Sequence, residues 1–256
     1  MEPTLEQQIG SASRSVEEAR RIAYHDTSRI GALVEQISVL ADLRQKEGDF
    51  RKAESLYREA LFRAQESRKT DYELQVGILS LLAHLYDRWG KTDQSLEFYE
   101  KALHISETRG LDGGEASAII KNNLAMIYKH RRDYEKAERC YQESLHAFQK
   151  LEGEHSSRVA SLYNNLGVLY YAQLEIDRAL EMHEKALAIR QHNPVGPIDP
   201  ADLSQTYINL AAVYKATGDF KRAEASITRA KQLRASINGH HPAPRRAATL
   251  LIDKNL

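Results

Sequence analysis

The sequence predicts an all-α protein, a right-handed superhelix (α-solenoid) of about five helix–turn–helix repeats. Three observations predict it. A leucine recurs at Leu40, Leu82, Leu124, Leu166 and Leu210, at intervals of 42, 42, 42 and 44 residues. A small residue follows each one directly: Ala41, Ala83, Ala125, Gly167 and Ala211. Within each period, apolar and small side chains return at steps of three and four, the spacing of an amphipathic helix. A fixed period of this length marks a stacked architecture, because no unit can bury its apolar face alone.

Taken in order, residues 1–32 place Ala12, Val16 and Ala19 at the spacing of the second-helix columns further on, so this segment reads as a capping helix or half-repeat. Five repeats follow, at about 33–75, 76–117, 118–159, 160–203 and 204–236. The first helix of each carries the leucine and small-residue columns, then Arg44, Tyr86, Tyr128, Tyr170 or Tyr214 three residues further. A turn comes next, written EGDF (47–50), HRRDY (130–134) and ATGDF (216–220). Asp49, Asp133 and Asp219 stand where a second helix begins, suited to accept from its free N–H groups. That helix carries Ala53, Ser95, Ala137, Ala179 and Ala223. Four residues on come Tyr57, Tyr99, Tyr141, His183 and Ile227, and then Ala60, Ala102, Ser144, Ala186 and Ala230. Small residues allow two helix backbones to approach and the rings fill the space beside them. Residues 237–256 read as a loop followed by either one short capping element or a tail.

These columns resemble the tetratricopeptide repeat (TPR), whose pattern W-x2-L-G-x2-Y…A-x3-F is met by Tyr163, Leu166, Gly167, Tyr170, Ala179 and His183. Leu79, Leu82, Ala83 and Tyr86, and Tyr207, Leu210, Ala211 and Tyr214, repeat it. Arg44 and Lys121 depart from it. The period exceeds the usual ~34 residues, the excess lying in the second helices and in the loops RGLDGGE (109–115), LEGEHSS (151–157) and NPVGPIDPAD (193–202). The 42-residue period, the NNLAMIY (122–128) and NNLGVLY (164–170) first helices, and the GEH and GHHP (239–242) loops look like the kinesin light chain subfamily. That resemblance implies an adaptor holding peptide segments in a concave groove. Residues 1–32 lack the sustained heptads through which kinesin light chains bind a motor chain, which narrows the resemblance to the subfamily's bacterial branch. It then implies an accessory role on bacterial tubulin filaments.

In this fold the first helices line the concave side. The candidate partner-binding residues are Asn122, Asn123, Met126, Lys129 and His130 in the third repeat, Asn164, Asn165 and Tyr171 in the fourth, and Ile208, Asn209 and Lys215 in the fifth. An amide donates and accepts at once. Asn123, Asn165 and Asn209 therefore either bracket successive peptide groups of a ligand or bond to the neighbouring helix. Asn122 and Asn164 are expected open to the groove. Lys129 and Lys215, with Lys121, favour a ligand bearing acidic residues. The Lys/Asn–Asn–Lys/Arg set of a chaperone-tail carboxylate clamp is absent. A regulatory module holding a signalling peptide or a small molecule is the alternative.

Composition narrows the rest. With 36 basic and 36 acidic residues, the chain has no overall pull toward nucleic acid or anionic lipid. One cysteine, Cys140, excludes an internal disulfide framework and a cysteine zinc cluster. His240 and His241 read as solvated loop residues. The cations at 129–132 suit a helix C-terminus. Arg20-Arg21 and Arg245-Arg246 flank apolar residues and are the candidates for membrane contact, in segments too short to argue strongly. No apolar run approaches the ~18 residues of a membrane span, and the N-terminus lacks the order of a signal peptide, so a cytoplasmic protein is expected. No phosphate loop, nucleophile–base pair or metal spacing occurs. The expectation is a binding scaffold with no cofactor and no catalytic residue.

Overall fold

The computed structural model describes residues 3–25, 29–66, 71–192 and 199–238. Among them are eleven helices and no strand: α1 (Leu5–His25), α2 (Ile30–Glu47), α3 (Phe50–Glu66), α4 (Tyr72–Arg88), α5 (Thr92–Thr108), α6 (Glu115–His130), α7 (Tyr134–Glu152), α8 (Ser157–Ala172), α9 (Ile176–His192), α10 (Pro200–Ala216) and α11 (Phe220–Asn238). The residues 239–256, with the His240-His241 and Arg245-Arg246 pairs, lie outside the described part, as does 193–198 of the last long loop.

Local sequence explains where helices begin. Asp49, Asp133 and Asp219 accept from Lys52 N, Lys136 N and Arg222 N at 3.1, 3.4 and 3.0 Å, so the three predicted caps are made. First helices are capped likewise. Asp71 accepts from Leu74 N, Ser156 from Val159 N, and Asp199 from Ala201 N ahead of Pro200. These caps set the starts of α4, α8 and α10, each worth about 1 kcal/mol.

The helices fall into two compact units that divide between Asp112 and Gly113. In the first unit α2 packs on α3 and α4 on α5, the two pairs meeting through α3 and α4. Helix α1 packs on α2 through Ile9, Val16 and Ala23. Here Leu40, Ala41, Leu82 and Ala83 are buried, as are the rings of Tyr57 and Tyr99. A ladder of parallel rings, Phe50–Trp89–Tyr86–Phe98, runs along the turns, with Lys91 Nζ 3.3 Å from the Trp89 ring centre. In the second unit α6 pairs with α7, α8 with α9 and α10 with α11, joined by α7 on α8, α9 on α10, and α8 on α10. Leu124, Leu166 and Leu210 with Ala125, Gly167 and Ala211 form its buried column.

The tyrosine column ties one repeat to the previous one. Tyr86 OH donates to Glu54 Oε1 at 2.6 Å and accepts from Arg58; Tyr170 OH donates to Glu138 Oε1 at 2.7 Å and accepts from Arg178. Burial, reinforced by the Glu138 carboxylate, pushes the Tyr170 phenol up to about 12.

Candidate partner-binding face

The first helices α6, α8 and α10 of the second unit carry all eleven candidate residues, and the structure divides them into two sets. Four amides are buried, with exposures of 0 % for Asn122, 1 % for Asn164, and 2 % for Asn165 and Asn209. Asn165 Nδ2 donates to Asn122 Oδ1 at 3.0 Å, and Asn209 Nδ2 donates to Asn164 Oδ1 at 2.9 Å. Each bond joins adjacent first helices. Two relays result: Asn165 to Asn122 to Asn123 Oδ1, and Gln205 to Asn209 to Asn164.

The expectation that Asn122 and Asn164 open to the groove is therefore corrected. A doublet on a helix spans two faces ~100° apart, and here the first asparagine takes the bond from the following repeat while the second donates to the preceding one. Buried amides find partners, and the nearest partner is the neighbouring amide. Only Asn165 Oδ1 among the four is left without a donor in the described structure.

The second set stays accessible. Asn123, Met126, Lys129, Tyr171 and Ile208 are half-buried, and His130 and Lys215 are exposed. Lys129, His130 and Lys215 lie toward the C-terminal ends of their helices. Lys121 does not join them: its ammonium is buried and pairs with Glu143 Oε2 on α7 at 2.8 Å. In the first unit, Asp42 on α2 accepts from Tyr57 OH at 2.8 Å. Burial holds His84, on that same face, below the usual imidazole range.

One feature went unread in the sequence, and the reading of His183 as a ring of the aromatic packing column is sharpened. Arg190 stands in a column that holds Ala64, Ser106, Phe148 and Arg234 elsewhere, and its guanidinium is buried between three helices. It donates to Ser161 Oγ of α8 at 3.2 Å, and to Asp202 O (2.9 Å) and Thr206 Oγ1 of α10. The aromatic column is also altered beside it. His183 lies so close to Gly167 that a Cβ there would sit 2.6 Å from the imidazole. Burial, with Arg190 nearby, lowers that ring to about 3. The signal at Gly167 and His183 was the break in column, glycine with histidine for alanine with tyrosine; Arg190 gave no such signal, since Arg234 stands at the same position of the next repeat.

The remaining chemistry is quiet. Cys140 is half-buried, and burial pushes its thiol up to about 11, which disfavours the reactive thiolate. Among the described residues no group of three or more His, Cys, Asp or Glu is placed to hold a metal, and no helix is long and apolar enough to cross a membrane.

Comparison with known proteins fits this architecture. The tetratricopeptide repeat model matches residues 34–108 and 116–192, and a second one matches 204–237. No curated protein matches. Among solved structures, BtubC (BKLC) from P. vanneervenii is 68% identical, with a TM-score of 0.87, covering 99% of this chain and 100% of that one. Kinesin light chain TPR-like repeats from Podosopora anserina share 16% identity over 79% of this chain and 95% of theirs, with a TM-score of 0.65. RapI shares 16% over 91% of this chain and 63% of its own, at 0.69. The last two show the fold alone. The chain thus belongs to the tetratricopeptide repeat family of non-catalytic scaffolds, in its kinesin light chain-like branch with BtubC.

Proposed function

We propose that this protein is an adaptor of a bacterial tubulin cytoskeleton, and that it holds a peptide or protein segment along the first-helix face of its second unit. The observation that carries the reading is the end-to-end likeness to BtubC at 68% identity. The accessible strip of Asn123, Met126, Lys129, Tyr171, Ile208 and Lys215 supports it, since it offers amide, apolar and cationic contacts in one line. The buried Asn122–Asn165 and Asn164–Asn209 bonds act behind that strip and keep its helices in register.

Co-sedimentation with bacterial tubulin polymers tests the filament role. Enrichment in the pellet is expected, and its absence removes that role. The groove is tested separately, by affinity capture from native lysate with wild-type protein and an Asn123→Ala/Lys129→Ala/Tyr171→Ala variant. A partner retained by the first and lost by the second, at unchanged melting temperature, is the expected result. Equal capture by both would place binding elsewhere.

A further inference from the structure

The last second helix keeps the donor of an internal contact without a described acceptor for it. Arg190 reaches from α9 to the helix stacked behind it, donating to Asp202 O of α10 at 2.9 Å. Arg234 stands in the same column of α11, is exposed, and bonds to no group among the described residues. On the same helix lie half-buried Ile227 and Leu233 and exposed Ala235. Helices α3, α7 and α9 are each covered on that side by the first helix that follows, α4, α8 or α10. Helix α11 is the last one described, so its corresponding face has no described cover.

The chain beyond α11 repeats the register of α10 in its sequence. Residues 239–256 lie outside the described part, and their sequence runs on at the 44-residue spacing that separates Leu166 from Leu210. Pro244 falls one such period after Pro200, which opens α10, a position that proline suits. Ala247, Ala248, Leu250 and Leu251 fall on Leu203, Ser204, Thr206 and Tyr207, of which the first three are buried and the fourth half-buried. Lys254 falls in the leucine column, so the apolar stripe stops short of it. On α11, Lys231 likewise stands where Leu61, Leu103, Leu145 and Leu187 stand in the earlier second helices. The stripe and the face narrow together.

Changes on the two sides of this junction match. Between α9 and α10, Gln191 donates to Tyr207 OH at 2.7 Å. One period on, Ala235 replaces the glutamine and Leu251 the tyrosine, so a polar pair becomes an apolar pair. Asn209 donates to Asn164. One period on, Ile208 offers no acceptor and Asp253 has no N–H to give, so both halves of that bond are gone together. A backbone carbonyl accepts whatever its side chain, and that is the contact whose donor, Arg234, is kept. The likeness to BtubC, covering 99% of this chain, also runs past Asn238. We propose that residues 244–256 dock on the open face of α11 as the first helix of a sixth, incomplete repeat, with Arg234 donating to the carbonyl of Arg246. The segment thereby closes this end of the stack to a second copy of the chain.

Hydrogen exchange on the full chain tests this independently of the filament reading. The amides of residues 247–253 should exchange at least about tenfold more slowly than in a free peptide of residues 239–256, with the protein monomeric by light scattering. Leu250→Asp/Leu251→Asp should return them to the free-peptide rate and speed exchange in α11, leaving α2 to α5 unchanged. Arg234→Ala should speed exchange of the segment about three- to tenfold. Free-peptide rates in the wild-type chain overturn the docking, as does protection that survives Leu250→Asp/Leu251→Asp. Protection that is lost on dilution, together with a dimeric mass, overturns it in favour of a second copy on this face.

Discussion

Asn165 donates to Asn122 from one helix to the next, and burial rather than that bond alone keeps its amide from a ligand. Removing one partner strands the other in a buried site, at a cost of about 1–3 kcal/mol. Asn165→Ala and Asn209→Ala should each lower stability by that amount in urea denaturation. Asn123→Ala, at a half-buried position, should cost less than either. His183 makes a second residue-scale prediction. Its unfolded form takes up a proton near pH 6.5, while the folded ring stays neutral to about pH 3. The unfolded state therefore binds the extra proton between these values. Stability is at its plateau above pH 6.5 and falls by up to about 1.4 kcal/mol per unit as pH drops through that window. His183→Phe, an apolar ring against Gly167, should flatten the dependence, as read from urea midpoints at pH 7.5 and 4.5. An unchanged slope would show that other groups control acid sensitivity.

At the scale of elements, most of the architecture was legible. Helix caps at Asp49, Asp133 and Asp219 could be read because a capping side chain acts within three residues of itself. The small-residue columns could be read because their period exceeds any accident of composition. What lay beyond the sequence was which face of α6 and α8 each asparagine takes. The two doublet positions both lie near the first-helix face, and only the offset between neighbouring repeats decides which is covered. Arg190 was hidden for a similar reason: its partners Ser161 and Thr206 lie far from it in sequence and are supplied by two other helices. Replacing it with methionine keeps much of the volume but removes its donated bonds to Asp202 O and to the Ser161 and Thr206 hydroxyls. We expect a loss of roughly 1–3 kcal/mol in thermal or urea unfolding. Leu174 holds a left-handed φ of 64° while exposed to solvent, so Leu174→Gly should change stability in the other direction, by about 0.5–1 kcal/mol, giving a raised melting temperature.

For the whole molecule, stacked repeats hold together by nearest-neighbour contacts, so a local weakness need not spread along the chain. The acid-sensitive His183 lies in the second unit, whereas the one tryptophan, Trp89, lies in the first. Two probes of the same sample should then part company on acidification. At pH 4.5 the urea midpoint from helical circular dichroism should fall further than that from Trp89 fluorescence. Coincident curves at both pH values would mean that the units unfold as one.

The asparagine relay also bears on ancestry. A repeat with the doublet, such as α8 with Asn164 and Asn165, offers an acceptor to its successor and a donor to its predecessor. A duplicated copy inserted after it would find both partners waiting. The fifth repeat has Ile208 where the acceptor would be, and keeps only Asn209, the donor that points back. A further repeat stacked on α10 would find no asparagine acceptor at Ile208.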